Sequence, residues 1–101
     1  MYAMVGKLVA QTGKRNALVE ILLRASDVVS QLPGCQAYMV NEDVANETHV
    51  WVFEAWVDKG AHDQSLKDER VRSFIAEAMP LITGAPDGVE LRVMGGLGIN
   101  P

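Results

Sequence analysis

From His49 to Val57 the chain reads HVWVFEAWV, apolar at nearly every position and broken by a single acid. A strand resting on one core usually alternates apolar and polar side chains. Here one parity carries Val50, Val52, Glu54 and Trp56, the other Trp51, Phe53, Ala55 and Val57, and both are mainly apolar. Residues 2–11 repeat the pattern on a smaller scale, with Met4, Val5, Leu8 and Val9 apolar on either parity. From Ala17 the period changes. Leu18, Ile21, Leu22, Ala25, Val28, Val29 and Leu32 form one helical stripe, with Arg15, Glu20, Arg24, Asp27 and Gln31 opposite. Pro33-Gly34 ends that helix, with Gly34 suited to a left-handed cap.

Residues 35–40, CQAYMV, predict a short strand, and NEDVANET a polar turn leading back into His49–Val57, so the two strands form an antiparallel hairpin. Asp58 is placed to cap a short helix over 60–66. A second helical stretch begins near Asp68, with Val71, Phe74, Ile75, Ala78, Met79 and Ile82 on one stripe, and Pro80 bends or ends it. TGAPDG is a loop. Residues 89–95 alternate Val89, Leu91, Val93 against Glu90, Arg92, Met94, as a half-buried strand does, and GLGINP is a loose tail. The order strand, helix, strand, strand, helix, strand predicts an α+β, ferredoxin-like βαββαβ domain with a four-stranded antiparallel sheet and its helices on one face. That arrangement leaves the other face bare. An apolar row of Trp, Phe and Val on a bare face marks an interaction surface, and a second copy of the chain is the commonest solution. The alternative is a monomer whose own tail covers the patch.

With 101 residues, one domain spanning 1–101 is expected. Nine basic against thirteen acidic residues, net charge −4 with no clustered Lys or Arg, argue against nucleic acid as a partner. The lone Cys35 rules out an internal disulfide and a cysteine-cluster metal site, and reads as a structural thiol. The opening MYAMVGKLVA reads as a strand rather than a secretory leader, and no apolar run is long enough to span a membrane. A cytoplasmic protein is expected.

The set Glu54, Trp56, Asp58, Ala61-His62, Ser65-Leu66, Val71, Phe74 and Pro80-Leu81-Ile82 resembles the antibiotic biosynthesis monooxygenase family, which includes small quinol monooxygenases. The resemblance implies a protomer that dimerises through its sheet faces into an α+β barrel. It also implies a reaction without flavin or metal, in which a deprotonated phenol or hydroquinone reduces O2 directly. Ser65 stands where many members carry a histidine, His62 where an apolar residue is usual, and Arg70 where a further histidine is frequent. The Asn-Trp-His set of the haem-degrading members is not recognisable, which argues against haem degradation.

His62 and Ser65 lie one turn apart on the same helical face. Histidine is the side chain that exchanges protons near neutral pH, so His62 is the candidate base and Ser65 the candidate holder of a substrate oxygen. The plain alternative is a capping or surface histidine. Trp56 shares its parity with Glu54, and a carboxylate is disfavoured in a dry dimer seam, so that parity is expected to face a cavity under the helices. Trp56, Glu54, Phe74 and Tyr38 are the candidate substrate-binding residues. Trp56 would be an aromatic wall for a flat quinone-like guest, or simply core. Tyr38 and Met39 face opposite ways, and which of them points inward stays open. His49, Arg72 and Arg92 read as surface. The expected function is a cofactor-independent monooxygenase acting on an electron-rich aromatic. The alternatives are a non-catalytic barrel that binds a small hydrophobic ligand or serves a stress response, and an isomerase or decarboxylase using the same pocket.

Overall fold

The computed structural model describes residues 1–96 and Gly98. The elements are β1 (Tyr2–Val9), α1 (Arg15–Val29), β2 (Cys35–Glu42), β3 (His49–Trp56), α2 (Lys59–Ser65), α3 (Glu69–Ala78), a 3-10 turn over Met79–Leu81, and β4 (Asp87–Arg92). The strands form one antiparallel sheet in the order β2-β3-β1-β4, the α+β ferredoxin-like fold that the element order predicts. The tail expected over 96–101 lies largely outside the described residues.

Register fixes the two faces. Tyr2, Met4, Gly6 and Leu8 of β1 pair with Trp56, Glu54, Val52 and Val50 of β3, and this parity lies under the helices. Helix α1 buries Leu18, Ile21, Ala25 and Val29 against it, and α3 buries Val71 and Ala78. Two apolar clusters result, one around Leu18, Ile21, Val50 and Ile82, the other around Val29, Trp56 and Val71. An ion pair from Arg24 to Glu77, 2.7 Å, ties α1 to α3.

Three expectations need correction. The helix predicted to Leu32 ends at Val29, and residues up to Leu32 continue as tight turns, with Gln31 N–H on the Val28 carbonyl and Leu32 N–H on that of Val29. Gly34 is therefore not the cap of α1, yet glycine is required there. Its φ is +84°, and a Cβ would fall 2.8 Å from both Ala61 and Val57, so the chain passes beneath α2 only without a side chain. β4 starts earlier than predicted, at Asp87, and ends at Arg92. It is not half-buried either: every residue is exposed, because Val89 and Leu91 pair with Val5 and Ala3 on the face that no helix covers.

That uncovered face carries Val5 beside Phe53, Lys7 beside Trp51, and Met39 beside Phe53. Met39, Val89 and Leu91 remain 51%, 59% and 42% exposed.

The β2–β3 turn is organised by Asp43. Its Oδ1 accepts the N–H groups of Ala45 and Asn46, and its Oδ2 accepts the Trp51 indole N–H at 2.9 Å. These donors favour the carboxylate and hold its pKa down to about 2. An unfolded aspartate titrates near 3.9, so the support Asp43 gives the turn is full above that value and is lost as pH falls through about 2. We expect the Trp51 indole proton resonance to move across that window in the native chain. In Asp43→Asn the movement should be absent and the thermal midpoint lower at neutral pH. An unchanged Trp51 titration in the variant would overturn the assignment.

Candidate functional site

Between the helix-side face of the sheet and helices α1 and α3 lies a cavity of about 290 Å³. Met4 and Leu8 come from β1, Val52 from β3, Leu22 and Ala25 from α1, and Phe74, Ile75 and Met79 from α3 and the turn after it. Ile75 and Met79 on this wall are 43% and 50% exposed. The polar groups on the wall are Glu54, Tyr38 and Ser65.

Glu54 is an acid in an otherwise apolar strand because its parity faces this hollow. The Trp56 indole N–H donates to Glu54 Oε1 at 3.1 Å. Burial raises the Glu54 pKa above the ordinary glutamate value. The Trp56 hydrogen bond and the positive potential of His62 act the other way. Oε2 has no protein hydrogen-bond partner among the described residues, yet it is not sealed off. The carboxylate therefore has one oxygen held and one open to a guest.

Tyr38 reaches the same wall through a β-bulge. Cys35 pairs with Trp56, but Ala37, not Gln36, pairs with Ala55, and Tyr38 then sits opposite Glu54. In a regular ladder, with Gln36 itself paired to Ala55, Tyr38 would pair with Phe53 and point the other way. Burial, then the charge of Glu54, pushes the Tyr38 phenol well above the ordinary tyrosine value, so it stays a neutral hydroxyl.

The remaining candidates fall differently. Ser65 is buried and reaches the wall, but its hydroxyl donates to the His62 carbonyl within α2. His62 is not among the wall residues. It is 6% exposed, packed between the Tyr2 ring at 5.3 Å and the Trp56 ring at 6.1 Å, with Nδ1 3.0 Å from Asp63 Oδ1. Trp56 is fully buried in the core and also lies off the wall, where an aromatic surface was expected; it touches the site by holding Glu54. Tyr38, Glu54, Phe74 and Ser65 are thus brought together, while His62 and Trp56 stand behind them. His49 sits at the β2–β3 turn, 3.9 Å from Asp43, and Arg72 and Arg92 are exposed.

Sequence reasoning missed Leu22, Leu66 and Met4 as wall residues. Their apolar periodicity is the same whether they fill a core or line a hollow, so no signal distinguished them. Among the described residues no group of three or more His, Cys, Asp or Glu side chains is placed to hold a metal, and no helix is long and apolar enough to cross a membrane.

The chain is similar to several solved structures. A Chloroflexus aurantiacus J-10-fl protein assigned as an antibiotic biosynthesis monooxygenase is 34% identical with TM-score 0.88, each chain 98% covered. A Caulobacter crescentus CB15 protein of the same assignment is 21% identical with TM-score 0.87, covering 93% of this chain and 90% of that one. SnoaB from Streptomyces nogalater, a cofactor-independent oxygenase solved as a point mutant, is 12% identical with TM-score 0.82, each chain 95% covered, and shares the fold. No curated protein sequence matches significantly. The antibiotic biosynthesis monooxygenase family profile matches residues 1–77, and on that match, together with the Chloroflexus likeness over nearly the full length, the chain belongs to the antibiotic biosynthesis monooxygenase family.

Proposed function

We propose that the protein is a cofactor-independent monooxygenase that oxidises an electron-rich aromatic, a quinol or polyketide-like phenol, with O2. The observation that carries this reading is the single open carboxylate oxygen of Glu54 inside an otherwise apolar cavity. A raised pKa makes a carboxylate a better proton acceptor. Glu54 takes the phenolic proton, in the role that sequence reasoning gave to His62. Tyr38, opposite it on β2, donates a hydrogen bond to the substrate oxygen. Phe74 and the aliphatic wall hold the ring and exclude water.

The electron balance closes on the substrate alone. The phenolate passes an electron to O2, and the resulting carbon radical and superoxide combine into a peroxide. O–O cleavage then leaves one oxygen atom in the product carbonyl and the other in water. An anthrone CH2 becomes a quinone C=O with no external reductant.

His62, behind Trp56 and joined to the surface carboxylate of Asp63, is placed to stabilise the Glu54 carboxylate from the rear. Ser65 keeps α2 wound by its hydrogen bond to His62. We further propose that the working unit is a homodimer, the bare apolar face of one sheet packed on that of a second copy.

The test is oxygen uptake with an anthrone or menadiol under air, corrected for the protein-free rate. We expect protein-dependent uptake with one oxygen atom from O2 in the product. Quenching of tryptophan fluorescence by the same compounds with no uptake would overturn the enzymatic reading in favour of a ligand-binding barrel.

A further inference from the structure

We infer that Glu54 also acts as a charge filter: the cavity accepts hydroxylated aromatics that carry no negative charge and rejects the same rings bearing a sulfonate or carboxylate. This rests on the cavity being the substrate site.

The wall offers an anion nothing. Apart from Glu54 it carries no charged side chain, and its other polar groups are two hydroxyls. The Ser65 hydroxyl already makes its one hydrogen bond as a donor to the His62 carbonyl, and Tyr38 has one hydrogen to give. Of the cations nearby, Arg24 lies over the Phe74 ring and pairs with Glu77, Arg15 pairs with Glu42, Lys59 with Asp63 and Glu90, and Arg70 with Asp68, while Lys67 and Arg72 are exposed and off the wall. His62 is the basic group whose potential reaches Glu54, and it lies off the wall.

An anionic guest would lose its hydration in an apolar chamber and find, as its nearest full charge, a carboxylate of the same sign. Both effects oppose binding, and both are stronger where water is excluded. A neutral phenol meets the opposite situation, since its hydroxyl donates to the open Oε2 and accepts from Tyr38. The same carboxylate that receives the proton therefore sets which rings can enter.

The test is an anaerobic titration of the full chain, read by tryptophan fluorescence, with 1-naphthol, its ring-sulfonated analogue and its aminomethyl (ammonium) analogue. In the native protein the sulfonate should bind roughly a hundredfold more weakly than naphthol, and the ammonium compound at least as tightly as naphthol. In Glu54→Gln naphthol itself should weaken, since the amide NH2 at the open position cannot accept its hydroxyl, and the gap between naphthol and sulfonate should shrink at least about tenfold. The native-protein ranking stands as a test even if the variant does not fold. A sulfonate that binds native protein as tightly as naphthol overturns the filter, and so does a gap that Glu54→Gln leaves unchanged. If that happens while oxygen uptake persists, the filter alone fails. Naphthol binding with the predicted ranking but no oxidation of any quinol sinks the monooxygenase reading and leaves the filter. If no probe binds, both fall.

Discussion

Glu54→Gln should lower kcat for quinol or anthrone oxidation by about 10²–10³-fold, with KM changed by less than about threefold. Glutamine keeps the carbonyl oxygen that accepts the Trp56 N–H, so packing behind the site is retained. What it removes is the basicity of the open oxygen. The variant also has a stability signature of opposite sign. Because burial raises the folded pKa of Glu54, ionising it costs more in the native state than in the unfolded chain, and the protonated form is the more stabilising one. The stability that form gives is present below the unfolded value of about 4.3 and lost as pH rises through the folded pKa. Glutamine imitates the protonated form at every pH. Glu54→Gln should therefore melt a few degrees above the native protein at neutral pH, with the gap closing toward about pH 4. A variant that is inactive and more stable separates loss of chemistry from loss of fold. Full activity in Glu54→Gln would remove the proton acceptor from the mechanism, and the His62→Ala variant would then become the next to assay.

Phe53→Lys should convert a dimer into monomers. Phe53 lies centrally on the uncovered face, flanked by Val5 on β1 and Met39 on β2. Burying large apolar side chains stabilises by roughly 1.5–3 kcal/mol each, so a face carrying Trp51, Phe53, Met39, Val89 and Leu91 has enough to hold two copies together. A buried lysine with no carboxylate opposite it would weaken that association by several kcal/mol. Sedimentation equilibrium should give twice the chain mass of 11.0 kDa for the native protein and the single mass for Phe53→Lys. A native protein that sediments only at the single mass at micromolar concentration would rule out the second copy as the cover of this face.

Much of the fold was legible because near-continuous apolar runs give way to stripes spaced by three and four and then return. The Pro80 stop and the Asp58 cap mark joints that the structure bears out: Asp58 Oδ1 accepts the Ala61 N–H at 2.8 Å, and α3 gives way to the 3-10 turn at Met79, whereas the turn expected over 41–48 is shorter because β2 runs on to Glu42. Strand parity, together with the cost of a carboxylate in a dry seam, placed Glu54 under the helices. Parity could not separate a wall from a core, so Trp56, expected to line the cavity, packs wholly within the interior. A helical face alone could not show that His62 would pack against Tyr2 and Trp56 rather than on the wall, because that depends on how closely α2 lies on the sheet. The β4 alternation was read as that of a half-buried strand, but its apolar side faces away from the helices and stays exposed, a choice fixed by pairing with β1 rather than by the strand's own residues.

Gln36 contributes no side chain to the chamber, yet the kink at this residue decides what a guest meets there. Were Gln36 drawn into the ladder opposite Ala55, Tyr38 would turn outward and Met39 inward, exchanging a phenol for a thioether with no substitution anywhere. Kindred chains that thread this kink differently would offer different chemistry to the same ring while looking alike when aligned letter by letter.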